Sequence, residues 1–210
     1  MFQHQQGILV KKDDLKLLTD SNKIDILAVI EAETPVVNGS IQYSAYQVLL
    51  HKSKSNRARM IVLVRDYLMN IVTVRKDLMS EDFPSIWLNL TSHTGSKLLR
   101  GLFYHLWQDT ASSTSLNDQT SRLEIFLEQL ERAANQCKHV VVLGDANIDV
   151  NRYDDPTYQL RLIADLYRSR TSSLGFKQFS LGMTFVANKR NADGSVSSSS
   201  IDHLLSSQPN

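Results

Sequence analysis

One stretch of the chain places several reactive side chains directly after a buried strand. The aliphatic run Val140–Leu143 is followed by Gly144, and then by Asp145, Asn147 and Asp149 at alternate positions. β-Branched residues favour a strand, and alternate residues of an extended chain share one face. We therefore expect the three polar side chains to project together. An Asp beside an Asn amide can hold and deprotonate a water next to a phosphate, although an ordinary Asx-rich turn has the same composition.

Other predicted strands also end in polar residues. Glu31 follows the apolar run of residues 24–30, Tyr104 ends the run that begins at Leu98, and Asp202 lies beside Ile201. Carboxylates gathered from separate strand ends, without cysteine, form the oxygen-rich environment that Mg²⁺ or Mn²⁺ prefers. This constellation predicts phosphoester chemistry. No glycine-rich phosphate loop, Ser-His-Asp arrangement or zinc motif competes with it.

Composition restricts the remaining function classes. The chain has 210 residues, 42% of them hydrophobic, and a formal net charge of +1. This length predicts a single domain over residues 1–210, and the balanced charge gives no global attraction to nucleic acid or membrane. Cys137, the only cysteine, excludes an internal disulfide and is expected in the core. With no signal or membrane-spanning pattern, we expect an intracellular protein, nuclear or cytoplasmic.

The elements that must position these side chains alternate between strands and helices. Helices are predicted over residues 13–20, from a capping box at Ser121–Glu124, and from Asp155–Pro156 to Gly175. Residues 51–59 read as a basic loop, either a solvated hairpin tip or a phosphate-facing patch. Predicted strands cover residues 24–30, 43–50, 59–64, 70–74, 86–91, 98–105, 140–143, 176–179, 183–187, 197–200 and 201–205.

Five short segments carry a pattern of residues in a fixed order: Asp25–Glu33, Gly101–Tyr104, Leu143–Asp149, Met183–Phe185 and Ser200–His203. Together they resemble the endonuclease/exonuclease/phosphatase superfamily, most closely the endonuclease domains of LINE-type (non-LTR) retrotransposons. The resemblance implies an α/β fold, a four-layer α/β/β/α sandwich of two mixed sheets (DNase I-like). It also implies Mg²⁺-dependent hydrolysis of a phosphodiester, with DNA as the expected nucleic-acid partner and a reverse transcriptase fused in a longer parent protein.

The resemblance assigns a role to each candidate residue. Glu31 resembles the metal ligand, and Tyr104 the tyrosine that contacts the scissile phosphate. Asp145 resembles the residue that activates the attacking water, and Asn147 the amide that holds the phosphate or the nucleophile. Asp202 resembles the carboxylate that orients a catalytic histidine.

Two departures from the family pattern lower the expected activity, beside a lesser difference at His105, which follows Tyr104 where many relatives have arginine. The first departure is at His4–Gly7, where relatives carry an asparagine at the end of the first strand. The second departure is that the distal Ser-Asp-His segment is not found after Asp202. Part of the first core strand and the last core strand are therefore expected to be missing. His203 cannot replace that histidine, because neighbours on a strand point to opposite faces. Loss of one acid-base group typically costs about 100- to 10,000-fold.

Three hypotheses follow. The first is a metal-dependent DNA endonuclease with weak or no activity. The second is a non-catalytic remnant or domesticated nuclease fold that binds nucleic acid or a protein partner. The third is a phosphatase or RNA-directed exonuclease of the same superfamily, since substrate choice lies in loops rather than in the hydrolytic motifs.

Overall fold

The computed structural model describes residues 15, 17, 19, 23–35, 43–51, 57–106, 115–179, 182, 184–190 and 196–207. Contacts within the chain divide it into two compact units, Met1–Lys97 and Leu98–Asn210. The single domain expected from chain length stays a prediction. No helix among the described residues is long and apolar enough to cross a membrane. The predicted segment His4–Gly7 lies outside the described residues.

The first unit contains a three-stranded sheet and two further strands that pair with each other. β1 (Ile26–Pro35), β2 (Tyr46–Leu50) and β3 (Arg57–Arg65) are antiparallel, with β3 in the centre. β4 (Val72–Val74) and β5 (Ser85–Thr91) form an antiparallel pair. The β-branched runs predicted these strands, and the central position of β3 explains why residues 60–64 are fully buried.

Two predictions for the first unit need correction. The strand before Glu31 does not end there, because β1 continues to Pro35, and as an edge strand it is only half-buried. The basic loop is shorter than expected, since Arg57 already belongs to β3. Arg59 is 7% exposed and His51 2% exposed, so neither lies on a basic surface patch. Lys52 and Lys54 lie outside the described residues.

The second unit is built on a mixed arrangement of strands. β6 (Lys97–Tyr104) runs parallel to β7 (Val140–Asp145). β11 (Asp202–Ser207) pairs antiparallel with β7 on one side and with β8 (Phe176–Phe179) on the other. β9 (Phe185–Arg190) and β10 (Val196–Ser199) form a two-stranded sheet. The strand order β6-β7-β11-β8 therefore places four chain segments beside one another.

The first long helix begins earlier than its sequence signal suggested. α1 (Leu116–Gln136) starts after Ser115, whose hydroxyl accepts from the backbone of Asp118 in a complete capping box. The pattern at Ser121–Glu124 lies inside the helix and caps nothing. Cys137 is the residue that ends the helix and is only half-buried, so it is not a core residue.

The second helix starts later than predicted. α2 (Arg161–Ser173) has no side-chain cap, because the Asp155 carboxylate instead accepts from Thr157 and Arg152 in the preceding turn. Its buried face includes Ile163 and Tyr167, whereas Leu162 is 66% exposed. Gly175 ends it in the left-handed region, at φ +79°, as expected.

Aromatic rings of the helices and strands form the core of the second unit. Phe103 of β6 stacks on Phe126 of α1 at 4.3 Å between centroids. Tyr167 of α2 lies 6.4 Å from Phe126 and 5.1 Å from the imidazole of His203. The helices therefore pack against one face of β6, β7 and β11. The polar residues at the ends of these strands lie on the opposite face.

Candidate active site

Three predicted site residues form a single row across neighbouring strands. Tyr104 is the register partner of Asp145 in the parallel pair, and Asp145 is the partner of Asp202 in the antiparallel pair. Side chains directly opposite each other in a sheet share a face, with Cβ atoms about 4.5–5.5 Å apart in antiparallel pairs. We refer to Tyr104, Asp145 and Asp202 as the carboxylate row. Tyr104 and Asp145 are buried, at 5% and 8% exposed, and Asp202 is half-buried.

Gly144 allows the two parallel strands to approach closely beside the row. A Cβ atom built on Gly144 would lie 2.8 Å from the carbonyl carbon of Phe103 and 2.6 Å from its ring atom Cδ1. Real Cβ atoms do not make such contacts, so any other residue would push the strands apart. The structural requirement for glycine at this position is therefore space.

The turn after β7 fixes Asn147 beside Asp145. Asn147 adopts a left-handed conformation, with φ 51°. Its backbone N–H donates to Asp145 Oδ1 at 2.7 Å, and its side-chain amide donates to the His105 carbonyl at 2.9 Å. The chain is therefore not extended here, and the predicted alternation of three polar side chains is wrong beyond Asp145. Residues other than glycine rarely adopt the left-handed conformation, and those that do are concentrated at functional sites.

Asp149 does not join the other polar residues of its segment. Its carboxylate caps a short 3₁₀ turn by accepting from the N–H of Asn151 at 3.1 Å. Its own N–H donates to the Tyr158 hydroxyl at 2.9 Å, and the residue is 6% exposed. Asp149 is therefore structural.

Thr184 supports Asp202, a role that reasoning from the sequence missed. The Thr184 hydroxyl oxygen accepts from the backbone N–H groups of Ile201 and Asp202, both at 3.1 Å. Burial raises the pKa of Asp202, and a hydrogen bond from the Thr184 side chain partly offsets that rise. The only signal for Thr184 was its position in the Met183–Phe185 segment of the family resemblance.

Two histidines near the row are buried and neutral at pH 7. His203 pairs with Gly144, so it faces away from Asp202, and its Nε2 donates to the Ser200 carbonyl at 3.3 Å. Burial lowers the pKa of His203 to about 4. His105 directly follows Tyr104, is 1% exposed and has its pKa lowered by burial to about 4. The expectation that Asp202 and His203 face opposite ways agrees with this register.

Glu31 belongs to the first unit and occupies an irregular point of β1. The register between β1 and β3 shifts between Ile30 and Thr34, and Glu31 has a left-handed φ of 55°. β-Bulges of this kind re-aim side chains and are over-represented next to active sites. Its half-buried carboxylate is an oxygen donor of the kind that a hard divalent cation takes.

The carboxylate row carries functional groups suited to acid-base chemistry. A carboxylate accepts hydrogen bonds at about four lone-pair sites when ionised, and one site of Asp145 is taken by the Asn147 N–H. The described residues contain no group of three histidine, cysteine, aspartate or glutamate side chains arranged around one point to hold a metal.

The comparisons with known proteins were made by sequence and by structure. No protein-family model matches the sequence. No curated protein matches it either.

Solved structures give consistent matches despite low identity. The endonuclease domain of TRAS1, a telomere-specific non-LTR retrotransposon, matches with a TM-score of 0.64 and 15% identity, over 93% of this chain and 78% of that one. The 3′ phosphatase NExo from Neisseria, bound to a product DNA hairpin, matches with a TM-score of 0.62 and 15% identity, over 96% and 83%. The catalytic domain of Xenopus laevis APE2 matches with 0.62 and 14%, over 96% and 80%.

The structural neighbours are DNase I-like nucleases of the endonuclease/exonuclease/phosphatase superfamily. The predicted DNase I-like α/β fold is therefore confirmed. At these identities the likeness establishes the fold, and the chemistry must be argued from the chain's own residues.

Proposed function

Starting from a DNase I-like nuclease fold, we propose that this chain hydrolyses phosphodiester bonds of DNA with Mg²⁺ or Mn²⁺, as an endonuclease of retrotransposon type. The observation that carries the proposal is the carboxylate row, in which Tyr104, Asp145 and Asp202 meet at adjacent strand ends. Strand ends are where α/β sheets usually place ligand sites.

In this proposal Asp145 takes a proton from the attacking water. The bond from the Asn147 N–H to Oδ1 orients the carboxylate, as a general base must be positioned. Asn147 holds the phosphate or the nucleophile through its amide group, whose orientation is fixed by the bond to the His105 carbonyl. Tyr104 contacts the scissile phosphate with its hydroxyl. Asp202 corresponds to the carboxylate that orients a catalytic histidine in the family.

The metal is assigned to Glu31. Mg²⁺ usually keeps several waters and takes only one or two protein carboxylates together with substrate phosphate oxygens, so a single glutamate fits it. The bulge and left-handed conformation at Glu31 are the kind of local strain that persists at functional positions. When bound, the ion supplies Lewis-acid stabilisation of negative charge on the phosphate oxygens.

DNA is the proposed substrate and nucleic-acid partner. One matched structure is an endonuclease domain of a non-LTR retrotransposon, and another is described with a product DNA hairpin. The net charge of +1 means that contact with the phosphate backbone must come from local basic groups. A longer parent protein carrying a reverse transcriptase remains part of this proposal.

We expect slow cleavage. The imidazoles of His105 and His203, which adjoin Tyr104 and Asp202 in the sequence, are both buried and uncharged at pH 7. Neither is therefore suited to donate a proton to a leaving oxygen. This observation also favours the second candidate, a nuclease fold that binds nucleic acid without cutting it.

Nicking of supercoiled plasmid tests the proposal. Purified protein is incubated with plasmid and Mg²⁺ or Mn²⁺, beside Glu31→Ala and Asp145→Ala, and conversion to open circle is followed over time. Asp165→Ala removes an exposed carboxylate from α2 and serves as the matched control. We expect slow, metal-dependent nicking that both site variants abolish and the control retains.

Two results would count against this function. Nicking that persists in Asp145→Ala would show that the carboxylate row is not the catalytic centre. If folded protein gives no nicking in either metal, DNA binding measured by fluorescence anisotropy at several salt concentrations decides for or against the non-catalytic candidate, because phosphate contacts weaken steeply with salt.

A further inference from the structure

One neighbouring residue, His105, makes three hydrogen bonds with the turn that carries the proposed general base. Its backbone N–H donates to the Asp145 carbonyl at 2.8 Å. Its carbonyl accepts from the Asn147 side-chain amide at 2.9 Å. Its ring atom Nδ1 lies 2.9 Å from the Ala146 carbonyl. Three consecutive residues of the turn are thus bonded to a single residue of the adjacent strand end.

Only one of these three links depends on the identity of the side chain. Backbone links could form with any residue at this position, whereas the link to Ala146 needs a donor placed where Nδ1 is. A carbonyl oxygen can only accept, so Nδ1 carries the hydrogen in this bond. Burial keeps the ring neutral at pH 7, since it lowers the pKa of His105 to about 4.

The Ala146 carbonyl lacks the support that a regular strand would give. The ladder between β6 and β7 ends with the pair Tyr104 and Asp145, so Ala146 is the first residue beyond it. Ala146 is 1% exposed, and its N–H donates to the Ile201 carbonyl at 2.8 Å. Without the imidazole, its carbonyl would be a buried acceptor without this donor, which is unfavourable. The next residue, Asn147, must also be kept in a left-handed conformation.

From this geometry we propose that His105 is a positioning residue of the catalytic turn, which fixes Asp145 and Asn147 through the hydrogen bond from Nδ1 to Ala146. This inference rests on the proposed function for its catalytic consequence. It does not assign His105 any contact with substrate or metal. It predicts that the required element is a donor at the Nδ1 position rather than an imidazole.

Two substitutions separate that requirement from a loss of histidine as such. In His105→Asn the side-chain amide nitrogen lies close to the position of Nδ1, so the donor is retained. In His105→Gln the amide reaches the position of Nε2 instead, so the donor to Ala146 is lost while size and polarity are similar. Ala133→Gly, in the buried face of α1, lowers stability elsewhere and controls for a general effect.

Amide hydrogen exchange of the Asn147 N–H gives a readout that does not need catalysis. We expect His105→Asn to exchange within about threefold of the natural protein, and His105→Gln about tenfold faster, which corresponds to one lost hydrogen bond. The exchange rates of the α1 amides should change equally in the two His105 variants. Ala133→Gly should affect exchange in α1 and leave the exchange rate of the Asn147 N–H unchanged. Equal exchange at Asn147 in His105→Asn and His105→Gln would overturn the inference.

Nicking kinetics add the catalytic consequence. A misplaced base should lower kcat by about 10- to 100-fold in His105→Gln with little change in KM, and His105→Asn should recover most of it. If the natural protein does not nick DNA, the proposed function fails, and hydrogen exchange still decides whether His105 positions the turn. If it nicks DNA and both variants keep the same kcat, the positioning role is refuted and the proposed function stands.

Discussion

Replacing Gly144 with alanine should destabilise the second unit far more than an ordinary glycine substitution. The added Cβ would lie 2.6 Å from Phe103 Cδ1 and 2.8 Å from the Phe103 carbonyl carbon. Comfortable carbon contacts need about 3.5–4.0 Å, so the groups must separate by about 1 Å. The Phe103 ring cannot move away, because it is 1% exposed and stacked on Phe126. The carbonyl belongs to the neighbouring strand, so β6 and β7 must move apart.

The expected cost lies at the upper end of the usual range for overpacking. Such substitutions cost about 1–3 kcal/mol, and we expect about 3 kcal/mol here because backbone is involved. For a chain of this size that lowers Tm by about 6–12 °C. Gly95→Ala is the matched control, since Gly95 has φ +81° with no atom within 4 Å of an added Cβ, and should lose only about 1–2 kcal/mol.

Urea unfolding and thermal melts measure the stability lost in each of the two variants. The reasoning predicts a larger loss for Gly144→Ala than for Gly95→Ala. A loss at Gly144 equal to or below that at Gly95 would show that the strands are not packed against each other as closely as described, and that glycine serves there only for its conformational freedom.

Three further perturbations have expected outcomes in the same unfolding assays. Ser115→Ala should cost about 1 kcal/mol by removing the cap of α1, whereas Ser121→Ala should stay within about 0.5 kcal/mol, and the reverse order would contradict the observed helix start. The pKa values of His105 and His203 are lowered by burial from 6.5 to about 4, so the unfolded chain binds more protons between these values. The free energy of unfolding is therefore highest above pH 6.5, and it should fall by up to about 3 kcal/mol for each histidine as the pH drops to 4. A urea midpoint that does not change over that pH interval would contradict this expectation. Thr184→Val removes a hydroxyl that accepts two backbone N–H groups and should cost about 1–3 kcal/mol, while Thr184→Ser should remain near the natural protein; equal losses would show that the methyl group matters instead.

The strands were predictable from sequence because their signals are local. Runs of β-branched residues located β3 and β7, and polar segments marked the turns between them. Helix starts were less predictable, because Ser115–Asp118 and Ser121–Glu124 both fit a capping pattern. Only the packing of α1 selects the first. Asp155 was misread for a similar reason, since a side chain that can cap a helix can also close a turn with Thr157.

The site was partly predictable. Polar residues at strand ends identified Tyr104, Asp145 and Asp202, but their alignment in one row depends on sheet order and register, which a single sequence does not state. The extended geometry assumed for Asn147 failed, because the strand ends at Asp145 and the next residues turn. His105 acts through backbone and ring contacts that leave no pattern in the sequence.

The irregularity of β1 sets stability against activity. Between the pairs Ile30–Met60 and Thr34–Ala58, three residues of β1 oppose one residue of β3, and Glu31 is held in a left-handed conformation that costs about 1–2 kcal/mol. Removing two of those residues would restore a regular ladder. In laboratory evolution, selection for heat resistance alone should therefore shorten β1 here, whereas selection for DNA cleavage should retain its full length. The two regimes would drive the same three positions in opposite directions.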